Sequence, residues 1–182
     1  MKRLEVKLYP DPCLRIKTKT VESFTEEIEE TLRVMADIMY ERQGIGLAAT
    51  QVGLGLSMMV IDTGSGLRAC VNPEILEKSK ECSQTEEGCL SFPGLTVNIA
   101  RPEKIKIRAK NEKGELFIQK MEGLDARAFQ HELDHLQAKL IIDYLDPVRR
   151  CIAVLRRGRI KKICEVVCNV GKNHTRRSNK SS

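Results

Sequence analysis

The sequence predicts an α+β fold in which a central helix packs against antiparallel β-sheets, with an N-terminal helix and a basic C-terminal helix. Three observations predict it: an amphipathic pattern near the N-terminus, short alternating segments in the middle, and an apolar stretch with two histidines after them. A chain of 182 residues is long enough for one substantial core, so we expect one domain with an appendage.

The first predicted helix runs from about residue 25 to about residue 41. Ser23 and Glu26 have the spacing of a capping box, which is typical of a helix N-terminus. Apolar residues follow at helical spacing, namely Ile28, Leu32, Met35 and Met39. The glycines of the QGIG stretch indicate where the helix ends.

Short strands are predicted between the two helices, separated by Gly, Pro and Asn. Three of them are MMVID from Met58, ACVNP ending at Pro73 and LTVNI from Leu95. The KIKIRAK segment alternates apolar and charged residues, and a turn-forming stretch separates it from ELFIQKM. We therefore expect a hairpin from Lys104 to Met121.

A second helix is predicted around the stretch FQHELDHLQAK, which begins at Phe129. One apolar stripe consists of Phe129, Leu133, Leu136 and Leu140, and a second face holds Leu124, Ala128, His131 and His135. A helix with two such faces is expected to be buried, with its histidines pointing inward.

The C-terminal part of the chain differs from the rest in charge. From Arg149 onward, eleven Lys and Arg stand against one acid, Glu165, so this part accounts for the whole net charge of +6. We divide the chain into a main domain over residues 1–147, a basic helix over 148–170 and a flexible basic tail over 171–182. The basic helix is either a solvated face or an electrostatic dock for RNA, and we favour the dock.

Composition excludes several classes of protein. No apolar run approaches the roughly 20 residues of a spanning helix, and MKRLEVKLYPDP reaches charge and proline too early for a signal peptide. The seven cysteines include no Cys-x-x-Cys pair, which indicates reduced thiols. We expect a cytoplasmic protein with no membrane partner and with thiols available to bind metal.

The stretch HELDH from His131 to His135 predicts a metal site. A helix places the two histidines one turn apart on one face, so both imidazoles can reach one divalent ion, and Glu132 lies beside them to take a proton from water. The alternative interpretation is that the two histidines lie in a buried helix and make only hydrogen bonds there. The motif itself lacks a third ligand.

Three residues are candidates for that ligand. Glu165 and His174 lie downstream, where a metallopeptidase would place it, but in segments where a rigid site is hard to build. Cys89 lies upstream in EEGCLSFPG, on an irregular segment where the backbone can come close to an ion. An ordinary buried thiol is the alternative for Cys89, although the histidine pair favours a ligand.

The stretch GIGLAATQVG, from Gly44 to Gly53, predicts a loop close to a substrate. It lacks Gly-Lys-Ser/Thr and follows a helix rather than a strand, so a phosphate-binding loop is not favoured. Its small residues let the backbone approach a bound molecule, and Gln51 offers a side-chain amide donor.

These three stretches resemble the three motifs of the peptide deformylases. GIGLAATQ matches Gly-x-Gly-Leu-Ala-Ala-x-Gln, EGCLS matches Glu-Gly-Cys-Leu-Ser, and QHELDHL matches Gln-His-Glu-x-Asp-His-Leu. Their order and spacing agree, and the similarity extends from YPDPCLR to about Pro147. The resemblance implies that the main domain is catalytic and removes the formyl group from the N-terminal formylmethionine of new polypeptides, releasing formate.

The resemblance also implies a metal and its ligands. Cys89, His131 and His135 would bind one divalent ion, natively Fe²⁺, although Zn²⁺, Ni²⁺ or Co²⁺ can occupy such a site. Because a thiolate and ferrous iron are both oxidisable, activity is expected to be lost in air.

Three catalytic roles follow from the same resemblance. Glu132 takes a proton from the attacking water and hands it to the departing amine. The Gln51 side-chain amide and the Leu90 backbone N–H donate to the oxyanion, each with an effect of about 3 kcal/mol by analogy with other oxyanion holes.

For the substrate, the resemblance implies contacts with the backbone near Ile45 and Gly46. It also implies a methionine pocket lined by Ile45, Leu124, Arg127 and Ala128, with His131 at its base. We expect the stem of Arg127 to form a wall while its guanidinium reaches solvent, or else Arg127 is a surface residue. Arg101 matches a family arginine near the substrate peptide, or else it is solvated.

One departure from the family's pattern lies at Ala138, where glycine is usual. Alanine is the better helix former, so we expect little cost there. The C-terminal residues, including Cys164 and Cys168, are not explained by the motifs. Bacterial relatives place their C-terminal helix on the ribosome near the exit tunnel, so the resemblance implies ribosomal RNA as a partner of the basic helix.

Two other classes of protein fit parts of the sequence. A generic metallopeptidase would use Glu165 or His174 as its third ligand. A nucleic-acid-binding module with a structural zinc would need a fourth protein ligand, and the sequence offers no convincing one. Replacing Glu165 or His174 would destroy such a peptidase and leave a deformylase intact.

Overall fold

The structure, a computed structural model, describes residues 4–155 of the chain. Its helices are α1 (Glu26–Glu41), α2 (Gly123–Leu136) and α3, which begins at residue 147 and is described as far as residue 155. Its strands are β1 (Gly46–Ala48), β2 (Met58–Ile61), β3 (Arg68–Lys78), β4 (Cys82–Gly88), β5 (Thr96–Pro102), β6 (Lys104–Lys110) and β7 (Leu116–Glu122). The chain divides into two compact units, one ending at Tyr144 and the other beginning at Leu145.

The strands form two antiparallel sheets. One sheet has the order β1-β2-β3-β6-β7, and β4 pairs with β5 in a separate two-stranded sheet. The predicted hairpin is confirmed, because β6 and β7 pair in register from Lys104 opposite Glu122 to Lys110 opposite Leu116. Helices packed on antiparallel sheets confirm the predicted α+β class.

Three strands differ from the prediction. β1 lies inside GIGLAATQ, which was expected to be a loop, and β4 was not predicted because its residues are mostly polar and exposed. β3 continues past Asn72 and Pro73 to Lys78. Asn72 adopts a φ of 52°, and the register with β6 shifts just after it, so the strand accommodates the proline at an irregularity.

The predicted N-terminal helix is confirmed as α1, with the predicted bounds, but its predicted capping box is wrong. Thr25 is the N-cap residue, without a side-chain cap hydrogen bond, so Ser23 and Glu26 do not form the expected capping box. The buried residues of α1 are Leu32, Met35, Ala36 and Met39. Three of them join residues of β1 and β2 in one of the two apolar clusters of the core.

α2 belongs to the other apolar cluster. Phe129 is fully buried among Met59 and Ile61 of β2 and Ile107 of β6, and burial of such a side chain contributes roughly 1.5–3 kcal/mol. Leu140, expected on the same stripe, is buried but lies beyond the end of the helix. The first turn is less covered than predicted, since Leu124 is 52% exposed.

Both α1 and α2 end with a residue other than glycine in the left-handed conformation. After α1 it is Gln43, with a φ of 55°, and after α2 it is Ala138, with a φ of 63°. In each case the next backbone N–H donates to a carbonyl in the last helical turn, as in a Schellman motif. Ala138 therefore lies outside the helix, and our expectation based on helix propensity is wrong. Glycine suits this position because it adopts a positive φ without strain from Cβ.

α3 agrees with the predicted start of the basic helix at Val148. The remainder of that helix up to Val170, the predicted tail and Cys164 and Cys168 lie outside the described residues. The predicted domain boundaries stay a prediction. Among the helices that the structure describes, none has the length and apolar character that a membrane span requires.

Candidate metal centre

Cys89, His131 and His135 converge on one point. One ligand atom from each lies within 4.8 Å of the others, and Cys89 Sγ lies 3.2 Å from Nε2 of His135. Cys89 is the first residue after β4, whereas both histidines lie on α2. Within residues 4–155, no other group of three Cys, His, Asp or Glu side chains converges in this way.

This donor set fits a divalent transition metal. A thiolate and two imidazoles held by one tetrahedral ion at about 2.0–2.3 Å lie about 3.5 Å from one another. In this site Cys89 Sγ and His135 Nε2 are 3.2 Å apart, and no pair of ligand atoms is more than 4.8 Å apart. Both histidines are buried and Cys89 is half-buried. Three protein ligands leave a position open, which is typical of catalytic rather than structural zinc sites.

Behind His131 lies a buried carboxylate, Glu87, which the sequence analysis did not single out. Its Oε2 lies 2.9 Å from His131 Nδ1 and accepts from Arg101 Nη2 at 2.9 Å. Its Oε1 accepts from Arg101 Nε at 2.6 Å and from Arg127 Nη1 at 2.7 Å. The contact at Nδ1 leaves the other ring nitrogen of His131 for a metal.

Glu87 is ionised in this environment. Burial raises the pKa of Glu87, but hydrogen bonds from His131 and Arg101 outweigh burial and lower the pKa to about 2. Arg101 also donates to Asp134 at 2.8 Å and to the Tyr144 hydroxyl at 3.2 Å, and that hydroxyl donates to Asp134 at 2.6 Å. We call Glu87, Arg101, Arg127, Asp134 and Tyr144 the Glu87 network.

The two arginines of the network do not lie where they were expected. Arg101 is 4% exposed and does not line the cavity described below, so it is neither solvated nor placed to touch a substrate there. The guanidinium of Arg127 is also buried, and besides Glu87 it donates to the Ile99 carbonyl and to the Ser83 carbonyl and hydroxyl. A buried carboxylate stabilises both cations, which explains why neither turns to solvent.

Glu132, one residue after the first histidine, is 4% exposed, and its Oε2 has no hydrogen-bond partner among the described residues. Its carboxylate lies against the backbone of Gly46, where a Cβ would come within 2.4 Å of Oε1. Only glycine permits this approach. Burial raises the pKa of Glu132 to about 7, which suits a group that takes and returns a proton near neutral pH.

Gln51 is oriented by the backbone beside it. Its Oε1 accepts from the Ala48 N–H at 2.8 Å, so its Nε2 is directed toward Cys89 Sγ at 3.5 Å and Ser91 Oγ at 3.3 Å. Gln51 lies in a short 3₁₀ segment, Ala49–Val52, that follows β1 and is buried. This anchoring directs the amide N–H groups toward the metal ligands.

A cavity of about 360 Å³ opens beside the ligands. Gln51, Cys89, Leu90, His131 and Glu132 line it, together with the predicted substrate-binding residues Ile45, Gly46, Leu124, Arg127 and Ala128. Ile45 is 43% exposed and Leu124 is 52% exposed, whereas Ala128 is buried. Of the predicted site residues that the structure describes, His135 and Arg101 do not line the cavity, and His135 still joins the site through its position 3.2 Å from Cys89 Sγ. Glu165 and His174 lie outside the described residues.

A sequence signal for Glu87 existed. Glu87 is the first residue of the EGCLS stretch and lies two residues before Cys89. Its place in that stretch, close to a candidate ligand, was the available signal. Its partners Arg101 and Arg127 had no local signal, because they lie on other elements.

Comparison with known proteins identifies the family. A family model for polypeptide deformylase matches residues 3–151. The peptide deformylase of Thermotoga neapolitana is 46% identical over 147 residues, which cover 81% of this chain and 90% of that protein.

Solved structures agree with the sequence comparison. The crystal structure of peptide deformylase from Thermotoga maritima superimposes with a TM-score of 0.78 at 44% identity, covering 81% of this chain and all of that one. The peptide deformylase of Synechococcus elongatus in complex with actinonin gives a TM-score of 0.80 at 34% identity, covering 87% of each chain. The chain belongs to the polypeptide deformylase family of metallohydrolases.

Proposed function

We propose that this protein removes the formyl group from the N-terminal formylmethionine of newly synthesised polypeptides and releases formate. The observation that carries the proposal is the convergence of Cys89, His131 and His135 beside a cavity into which Glu132 and Gln51 also face. The three side chains would hold the metal, Fe²⁺ natively with Zn²⁺, Ni²⁺ or Co²⁺ as substitutes. The cytoplasmic location stays a prediction.

A divalent ion held here supplies Lewis-acid chemistry, which makes water a stronger nucleophile at neutral pH and polarises a carbonyl oxygen. Glu132 moves the proton. Its buried, unpartnered Oε2 accepts a proton from the attacking water, and the same group then protonates the amine that leaves as the C–N bond breaks. Because Oε2 is buried and has no other hydrogen-bond partner among the described residues, it is available for both transfers.

Two donors would stabilise the negative charge that develops on the formyl oxygen. The Gln51 amide is held toward Cys89 by the hydrogen bond that its Oε1 accepts from Ala48. The backbone N–H of Leu90 follows Cys89 directly in the chain. Preorganised donors of this kind act on the transition state more than on the bound substrate.

The backbone beside the cavity suits an extended peptide. Among the described strands, β1 pairs only with β2 and β4 pairs only with β5, so each strand has an open edge. A peptide chain can add to an open strand edge through its main-chain hydrogen bonds. The backbone of Ile45 and Gly46 at β1 is therefore a candidate site for the substrate backbone.

The cavity offers an apolar pocket for the first side chain. Ile45, Leu124 and Ala128 contribute apolar surface, and the stem of Arg127 lines the cavity while its guanidinium is bound to Glu87. An unbranched thioether can adapt to such a surface, which supports methionine as the side chain that it binds.

Formate release from a formyl-methionyl tripeptide tests the proposal. We expect the full chain, purified without oxygen and supplied with Fe²⁺, to release formate, and to lose this activity in air or after chelation. Glu132→Gln is the matched variant: it keeps the three ligands and the side-chain volume, so we expect it to retain metal but to release formate at least about 10²-fold more slowly. Metal-loaded wild-type protein that releases no formate would refute the proposed activity.

Contact with the ribosome through the basic C-terminal helix is a second proposal, supported by the excess of Lys and Arg from Arg149 onward. Binding to ribosomal RNA should weaken steeply with salt, because each neutralised phosphate releases a counterion. Sedimentation with ribosomes at low and high salt measures this, and equal sedimentation at both salt concentrations would contradict an electrostatic dock.

A further inference from the structure

The metal ligands come from two elements that no β-sheet pairing connects. Cys89 lies in the turn between β4 and β5, and the histidines lie on α2. Within the described residues, β4 and β5 pair only with each other, so no strand pairing connects the β4–β5 hairpin (residues 82–102) to the five-stranded sheet. A complete site requires that side chains hold this hairpin against α2.

Apolar packing accounts for only part of that attachment. The two apolar clusters of the core contain no described residue of β4 or β5. Val97 and Ile99 of β5 are buried, and the Gln130 side chain donates to the Pro102 carbonyl at 3.1 Å. Apart from the contact of Cys89 with His135, the remaining hydrogen bonds between the hairpin and α2 involve a charged side chain.

Glu87 is the centre of these charged ties. It belongs to β4, and its partners His131 and Arg127 belong to α2, while Arg101 of β5 reaches Asp134 of α2. Both oxygens of Glu87 are shared between two partners each, and the residue is 6% exposed. Replacing Glu87 would leave Arg101 with Asp134 as its carboxylate partner and Arg127 with only the Ile99 and Ser83 oxygens as hydrogen-bond acceptors among the described residues.

We propose that Glu87 is a positioning residue that fastens the hairpin bearing Cys89 to the helix bearing the two histidines, and thereby sets how tightly the site retains its metal. Glu87 lines part of the cavity, but both of its carboxylate oxygens are bonded to His131 and the two arginines, so it acts through these partners. The proposal rests on the metal site of the proposed function but not on deformylation itself. Metal retention then depends on the contacts between the hairpin and α2 as well as on the three ligands.

The test compares Glu87→Gln with Glu81→Gln in the full, zinc-loaded chain. Glu81 is exposed and directly precedes β4, so it is a matched control next to the same hairpin. The first readout is the rate of zinc transfer to a chelator. We expect Glu87→Gln to release zinc about 10–100-fold faster, the usual effect of losing a residue that orients a metal ligand, and Glu81→Gln to match wild type.

The second readout is amide hydrogen exchange. We expect Glu87→Gln to lose protection within residues 82–102 while α1 and β2 keep theirs. Zinc release at the wild-type rate would overturn the proposal, and so would an equal loss of protection in α1, which would indicate a general stabilising role.

Should Glu87→Gln fail to fold, Arg101→Lys answers the same question, because lysine keeps the charge but cannot make the two-pronged contact with Glu87. It should show the same pattern with a smaller change. Neither readout needs formate, so wild-type protein that retains zinc without deformylating would refute the proposed function and leave this inference standing.

Discussion

Polar side chains beside the cavity differ from those of the Glu87 network in how far their hydrogen-bonding capacity is used. On the cavity side, Glu132 Oε2 is buried without a hydrogen-bond partner among the described residues, and the Gln51 Nε2 group has only long contacts, at 3.3 Å to Ser91 Oγ and at 3.5 Å to Cys89 Sγ. In the Glu87 network, each oxygen of Glu87 has two partners within 2.9 Å. Groups that react keep hydrogen-bonding capacity for the substrate, whereas groups that hold position use all of theirs.

This difference predicts two kinds of mutational effect. Changes on the cavity side should lower turnover more than stability, because Glu132 Oε2 has no partner to lose and Gln51 Nε2 has only long contacts to lose. Changes in the Glu87 network should lower stability or metal retention, because they leave buried charges without partners.

The largest effect is expected at Gln51. Gln51→Ala should lower kcat by about 10²–10³-fold and change KM little, since it removes a donor to the transition state. Steady-state kinetics with a formyl-methionyl tripeptide measures this. Ser91→Ala removes the other partner of Nε2 but leaves the anchor at Ala48, so kcat should stay close to wild type. A change in KM alone for Gln51→Ala would contradict the oxyanion role.

Gly46→Ala should have the next largest effect. The new methyl group would lie 2.4 Å from Glu132 Oε1, so the carboxylate must move, and misplacement by about 1 Å can lower kcat/KM about 10²-fold. Measuring the metal content together with the kinetics distinguishes displacement of the Glu132 carboxylate from loss of the metal. At Gly55 a Cβ meets only a methyl group at 3.8 Å, so Gly55→Ala serves as the control. Equal activity of both variants would show that the approach of Glu132 to Gly46 is unimportant.

Arg127 lines the cavity and also belongs to the Glu87 network, so its replacement tests which of the two roles matters more. Arg127→Met keeps an unbranched stem in the cavity but removes one of the two cations bound to Glu87, so the free energy of unfolding should fall by about 2 kcal/mol. Urea denaturation measures this. Arg108→Met, which breaks an exposed pair with Glu74, should cost less than about 1 kcal/mol. An unchanged unfolding free energy with a raised KM would place the role of Arg127 in the cavity instead.

The smallest effect is expected at the end of α2. Ala138→Gly should stabilise the protein by about 1 kcal/mol, because alanine is strained at a φ of 63°. Calorimetry should show a rise in Tm of about 2–4 °C. Ala126→Gly, inside the same helix, should instead destabilise by more than about 1 kcal/mol, because it lowers helix propensity and also removes a buried methyl group from the core. A lower Tm for Ala138→Gly would show that contacts of the alanine methyl group outweigh the strain.

Most of the correct predictions of secondary structure rest on local periodicity. The positions of α1 and of the β6–β7 hairpin follow from apolar spacing, and the spacing of His131 and His135 within one helix places both on one face. The capping box failed because Thr25, not Ser23, occupies the N-cap. β4 was missed because one of its faces is polar and lies in solvent, so its pattern resembles that of a loop.

The sequence by itself determined the family, the candidate ligands and the elements that bear them, because motifs and helical spacing are local properties of the chain. Only the tertiary structure decided that Arg101 and Arg127 turn inward to Glu87, that Glu132 lies against Gly46, and that Ala138 takes a left-handed conformation. Each of these depends on which groups meet across separate elements. Burial then makes unpaired charge so costly that packing, rather than local preference, sets the position of each side chain.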